Sequence, residues 1–336
     1  MRNLLVSISL TGLFCMLAFN NGGEISFPRP AGWPQPEYNF DNNPLHSEKI
    51  ELGRALFYDP ILSRDSTISC ASCHLQYTAF AHTDHDLSHG IEGRIATRNA
   101  ATLVNLAWNK HFMWDGALHH LDMQSLAPIS NNMEMDENLD HVVFKLKQSP
   151  RYRSLFSDAF SDTAITGAQV LRSLSQFMLT LVSANAKYDK VRNGKEKFTE
   201  QEERGYQLFQ QHCNHCHTEP LFTNGQFESN GLSVDETLKD KGRMTITGKS
   251  EDSLRFKVPS LRNIEFSFPY MHDGRFKTLH QVLNHYTAQI QQTPTLHPTL
   301  QHGIPLSSND KVDIIAFLLT LTDKDFLFDP RYSFPK

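Results

Sequence analysis

The 336-residue chain is predicted to fold as a mainly α protein built from two copies of one small unit, and three observations point there. Apolar residues recur at helical spacing in several segments, strand-like alternation is scarce, and one set of short signatures occurs twice in the same order.

The elements follow along the chain. Residues 23–45, rich in Pro, Asn and Gly, read as an extended surface arm. A helix is expected after Ser47, with Glu48 and Glu51 favouring its N-terminal end; it carries Gly53-Arg54-Ala55-Leu56-Phe57. A matching helix begins near Thr199, where Thr199 and Glu202 have capping-box spacing, and carries Gly205-Tyr206-Gln207-Leu208-Phe209. Downstream, Arg98-Asn99 precedes Phe112-Met113-Trp114-Asp115-Gly116, and Arg262-Asn263 precedes Tyr270-Met271-His272-Asp273-Gly274. Between the copies, residues 167–187 carry a helix whose apolar face is Val170, Leu171, Leu174, Phe177, Met178 and Leu181. The charged stretch Lys190 to Lys197 marks a junction, which places the units at 23–192 and 193–336. The last helix starts near Ser308 and is expected to bury Val312, Ile315, Phe317, Leu318 and Leu319.

Composition narrows the function. With 39% hydrophobic and 21% charged residues the chain is globular, and its net charge of −5 argues against nucleic-acid binding. Residues 1–22 read as a signal peptide or N-terminal anchor: Arg2 precedes the uncharged apolar run Leu4 to Phe19, which is shorter than the roughly 20 residues of a spanning helix. Cys15 belongs to that run; Gly12-Leu13-Phe14 before it lacks the small residue expected next to a lipidated cysteine.

The other four of the five cysteines lie in Cys70-Ala71-Ser72-Cys73-His74 and Cys213-Asn214-His215-Cys216-His217. In such a motif the two thiols form thioethers with the haem vinyl groups, and the adjacent histidine turns back to ligate the iron. Two covalent c-type haems on two cytochrome c-like domains are therefore expected, with His74 and His217 as proximal ligands. A four-cysteine zinc site is the alternative, and it leaves both histidines unexplained.

From Pro44 to Thr322 the chain resembles the bacterial dihaem cytochrome c peroxidase / MauG family. The supporting segments are Leu52-Gly53-Arg54-Ala55-Leu56-Phe57-Tyr58-Asp59-Pro60, Ile68-Ser69-Cys70-Ala71-Ser72-Cys73-His74, Trp114-Asp115-Gly116, Lys257-Val258-Pro259-Ser260-Leu261-Arg262-Asn263 and His272-Asp273-Gly274. The resemblance implies a periplasmic enzyme fed by a small cytochrome or copper protein (cupredoxin), with the peroxidatic pocket on the N-terminal haem. It assigns Glu134 as the pocket acid–base, Gln124 as the pocket amide and Trp114 as the aromatic between the haems; alone, Glu134 would read as a surface acid and Trp114 as a core aromatic. It also assigns His89 as the displaceable sixth ligand, although His82 and His85 share its loop, where three solvated histidines or a loop metal site are the other readings. Calcium between the domains would be held by the Asn99 side chain and the carbonyls of Ser267 and Pro269.

The sequence departs from the peroxidases at two places. Their C-terminal haem uses a methionine where this chain aligns Tyr286, as MauG-type members do; Met271 and Met244 compete for the role. Sulfur favours ferrous iron and phenolate favours ferric and higher states. Ala117 stands where the family often has arginine. The expected function is reduction of hydrogen peroxide to water. A MauG-like oxidase acting on a protein or organic substrate, and a plain electron-transfer dihaem cytochrome, are the alternatives. A homodimer stays open.

Overall fold

The computed structural model describes residues 23–160 and 164–335, so the expected export segment at 1–22 lies outside the described residues. In chain order the helices begin with α1 (Ser47–Tyr58), α2 (Cys70–Cys73), α3 (Leu121–Gln124), α4 (Leu126–Ser130), α5 (Leu139–Gln148), α6 (Pro150–Phe160) and α7 (Gly167–Leu179). They continue with α8 (Lys187–Arg192), α9 (Glu200–His212), α10 (Met244–Thr247), α11 (Leu279–Ala288), α12 (Ser308–Leu319) and α13 (Lys324–Leu327). A two-stranded antiparallel ladder pairs β1 (Phe227–Glu228) with β2 (Phe256–Lys257). Among the described residues no helix is long and apolar enough to cross a membrane.

Local chemistry sets the helix starts. Thr166, Thr199, Thr278 and Ser307 cap α7, α9, α11 and α12, each in a reciprocal box with the side chain three residues on. The arm 23–45 is extended apart from short turns at 31–32 and Phe40–Asn42, and its Trp33 ring meets Trp108 at 4.9 Å.

Two helix pairs organise two cores. α1 packs on α7 through Leu52, Leu56, Phe57, Leu174 and Phe177; α9 packs on α12 around Phe209, Ile314 and Phe317. A glycine permits each crossing. A Cβ on Gly53 would lie 1.8 Å from the Ser173 carbonyl oxygen, and one on Gly205 would lie 1.9 Å from that of Asp313. After α12 the chain returns to the first core with Phe326, Leu327 and Tyr332.

The internal repeat extends to hydrogen bonds, with a different register at one point. The counterpart of Asn263 is Asn105 and not Asn99. Asn105 N–H donates to Leu181 O and its side chain accepts from Ser183 N–H; Asn263 does the same with Leu321 O and Asp323 N–H. Both adopt left-handed φ, 58° and 59°. Val104 takes the place of Arg262, so the Arg98-Asn99 pair only mimics the second motif. α12 also differs from expectation. Asp313, Ile314, Phe317 and Leu318 are buried, whereas Val312 is 52% and Leu319 41% exposed. Gly205 admits the Asp313 backbone, so that stripe, rotated from the most apolar one, faces α9.

Candidate haem centres

Each cysteine motif forms a tight turn that throws its histidine inward. His74 N–H donates to Cys70 O and His217 N–H to Cys213 O, both at 2.9 Å. His74 Nδ1 lies 2.6 Å from Phe80 O; His217 Nδ1 lies 3.2 Å from Phe222 O and 3.1 Å from Pro259 O. A carbonyl at Nδ1 holds the proton there and leaves Nε2 with its lone pair for a metal. Burial pushes both imidazoles down to about 4, so both are neutral at pH 7. None of these four cysteines is in a disulfide, and burial raises the Cys70 and Cys213 thiols to about 12. Among the described residues no three His, Cys, Asp or Glu side chains group to hold a metal ion, so neither the four-cysteine zinc site nor a loop metal site forms. Beside His217 a cavity of about 230 Å³ opens onto Cys213, Cys216 and Tyr286. Paired cysteines outside any disulfide, neutral histidines with an oriented Nε2 and an apolar cavity are the donor set that a covalent haem requires.

On the N-terminal side, Glu134 lies near the Cys70–Cys73 pair, and its carboxylate accepts from Asn131 Nδ2 at 2.7 Å. Burial raises its pKa against that hydrogen bond. The His89 loop is pressed on it: Ile91 N–H donates to Glu134 O, and a Cβ on Gly90 would lie 2.2 Å from Met133 O. Asp136 anchors the loop ionically, 2.5 Å from Arg64 and 2.9 Å from Arg94. His89 itself is exposed; its carbonyl borders Cys73 Sγ at 3.9 Å and its ring meets His85 at 4.8 Å. His82 differs from both, being 6% exposed with neither ring nitrogen hydrogen-bonded. Gln124, at the end of α3, directs its amide at Met113 Sδ, 3.9 Å away.

Trp114 sits where the halves meet. Its indole N–H donates to Asn99 O at 2.9 Å, and its carbonyl accepts from Lys257 N–H at 2.7 Å. Asn99, Ser267 and Pro269 line the same cavity as Trp114. Asn99 Nδ2 donates to Asp86 O, which leaves its Oδ1 as the donor for a cation. The missing arginine at Ala117 has a replacement. At the equivalent position Arg275 clasps Asp273; in the first half Arg98 reaches Asp115 at 2.6 Å and also binds Asp240.

Tyr286 and Met271 line the cavity that holds His217, whereas Met244, on α10, does not. Asn230 Nδ2 lies 3.4 Å from both Tyr286 Oη and Met271 Sδ. Burial raises the Tyr286 phenol to about 12. Met271 (φ 75°) occupies the turn position that Met113 (φ 66°) holds in the first half, so the repeat accounts for its place. Sequence reasoning missed Asn230 and the carbonyls of Phe80, Phe222 and Pro259, because a carbonyl ligand leaves no mark on residue identity.

The di-haem cytochrome c peroxidase family, CCP_MauG, matches residues 47–197. The methylamine utilization protein MauG of Methylorubrum extorquens is 36% identical over 307 residues, 88% of this chain and 83% of that protein. The cytochrome c551 peroxidase of Nitrosomonas europaea is 31% identical, covering 95% of this chain and 90% of its own. Among solved structures, a MauG-like protein associated with microbial copper homeostasis superposes with a TM-score of 0.82 at 32% identity, covering 92% of this chain and 99% of that one.

Proposed function

The chain belongs to the dihaem cytochrome c peroxidase / MauG family and is an oxidoreductase; from that premise we propose that it reduces hydrogen peroxide to water at the His74 centre. The observation that carries this reading is the half-buried Glu134, its carboxyl raised by desolvation beside Cys70 and Cys73. Bound haem supplies the redox-active iron at each centre. His74 and His217 would hold it through Nε2, and the four thiols would anchor it covalently. Glu134 accepts the proton of the near peroxide oxygen and delivers it to the far one, so that the O–O bond breaks with water leaving. Gln124 orients the peroxide or a water. Two electrons and two protons complete two waters per peroxide. The electrons would come from a small cytochrome or cupredoxin that docks near the His217 centre, and Trp114 would stand between the two centres.

The same reading takes residues 23–192 and 193–336 as two haem-binding units, each with its own cytochrome c-like core. It takes His89 as the displaceable ligand of the first, and calcium at Asn99, Ser267 and Pro269 as the spacer between them. Export to the periplasm follows from the apolar segment within residues 1–22. Steady-state turnover with peroxide and a reduced small cytochrome tests the proposal. Negligible rates, even after pre-reduction, would sink it.

A MauG-like oxidase, acting on a protein or organic substrate, is the second reading, favoured by Tyr286 in the cavity that holds His217. An anionic phenolate ligand favours ferric and higher states. A Tyr286→Phe variant whose C-terminal haem spectra are unchanged would remove its support.

A further inference from the structure

Lys257 is the unexplained charge at the junction. It belongs to β2, where its backbone is fixed twice: it pairs with Phe227 across the ladder, and its N–H donates to Trp114 O at 2.7 Å. Its side chain lines the cavity that also holds Cys213, Cys216, His217 and Trp114. Lys257 is half-buried there.

Among the described residues no carboxylate lies within ion-pair distance of Lys257 Nζ. Glu228, on the facing strand, also lines the cavity but acts on Cys216 and His215 and makes no ion pair with Lys257. Arg98 and Arg243, the neighbouring guanidiniums, are taken by Asp115, Asp240 and Asp252. An unpaired ammonium in an apolar space costs several kcal/mol and normally sheds its proton. Desolvation alone accordingly drags Lys257 down to about 8. A chain that keeps a lysine there has an anion to meet it.

The cavity's own occupant supplies one. A c-type haem tied by its vinyl groups to Cys213 and Cys216 carries two propionates on the opposite edge of the macrocycle, away from the thioethers. We infer that Lys257 is the counter-charge of a propionate of the C-terminal haem and raises that haem's reduction potential. This inference rests on the reading of His217 as the ligand of a covalent haem. Reduction adds an electron to the site, so a nearby cation favours the ferrous state, and its removal lowers the potential. Because the same residue's N–H holds Trp114 O, Lys257 also ties the relay aromatic to the haem it serves.

The test uses the full dihaem protein. A pyridine haemochrome assay first counts two covalent haems per chain, which checks the underlying reading on its own. Spectroelectrochemistry, with EPR to separate the centres, then compares the wild type with Lys257→Met and Lys257→Arg. In Lys257→Met the ferrous-to-ferric ratio of the C-terminal haem at a fixed potential is expected to fall about tenfold, which is 59 mV for one electron. Lys257→Arg, which keeps the charge, is expected to stay near the wild type. A C-terminal potential unchanged in Lys257→Met overturns the inference. So does a shift confined to the N-terminal haem, which would give the carboxylate to the other cofactor. If Lys257→Met fails to fold, Lys257→Gln removes the charge, retains a polar end, and reads the same potential.

Discussion

Glu134 carries the sharpest prediction that a single residue can bear. Its carboxyl is raised by burial, and the hydrogen bond from Asn131 only partly offsets this. The base form is therefore lost, as pH falls, at a higher pH than for a free glutamate near 4.3. The acid limb of kcat/KM should sit above that range, and Glu134→Gln should remove the limb and lower the peroxide rate by about 10²–10⁴. A pH profile of the variant that keeps the limb would assign it elsewhere. Tyr286 predicts in the opposite sense. Replacing a buried phenol by sulfur in Tyr286→Met should raise the potential of the C-terminal haem, seen as easier optical reduction. These two residues mark the limit of legibility at this scale. The cysteine motifs are readable because bond formation dictates their spacing. Asn230, which touches both Tyr286 and Met271, is not, because contact between a loop and a helix leaves no periodic trace.

Two glycine-mediated helix crossings dominate at the scale of elements. Gly53 and Gly205 each take a carbonyl oxygen of the partner helix where a Cβ would stand. Gly53→Ala and Gly205→Ala gain about 1 kcal/mol of helix propensity but force the pairs apart. The overpacking should cost about 1–3 kcal/mol, leaving a net loss of up to about 2 kcal/mol in each, read from denaturant melts of the dihaem protein. Either variant being as stable as the wild type would mean that the crossing can shift freely. The duplicated Gly and Leu-Phe spacing was visible in the sequence, but the helix pairing it serves was not, because a close crossing leaves no mark on the partner helix's residue identities. The facing stripe of α12 was not. Apolarity favours Val312 and Leu319, yet the close approach at Gly205 selects Asp313 and Phe317. The Asn105–Asn263 equivalence was hidden for a related reason. Arg98-Asn99 copies the letters of Arg262-Asn263, while the bonds to Leu181 O and Ser183 N–H identify Asn105.

Across the whole molecule the halves meet at several places, among them Arg262, Trp114 and the His89 loop. Arg262 is 0% exposed, binds Asp189 through both terminal nitrogens at 2.9 and 2.8 Å, and lies 4.6 Å from the Trp33 ring of the N-terminal arm. Arg262→Ala leaves Asp189 buried and unpaired and should cost about 3–5 kcal/mol by denaturant titration. Lys at this position should not rescue it, because a point charge cannot make the two-pronged contact. The second link runs through Asp86, three residues before His89. Its carbonyl accepts from Asn99 Nδ2, its carboxylate pairs with Lys277, and its backbone packs on Gly274 of the second half. Gly274 has φ 69°, and a Cβ there would lie 2.4 Å from Asp86 O. Gly274→Ala must therefore strain the turn and push the Asp86 segment away. If His89 ligates the N-terminal haem through this loop, its coordination should become heterogeneous. EPR of the ferric protein should then gain a second N-terminal species, while the C-terminal haem signal, set on the proposed reading by His217 and Tyr286, stays as it was. An unchanged N-terminal spectrum would mean that the loop holds its place through Glu134 and Asp136 alone, and that the second half does not reach the first centre by this route.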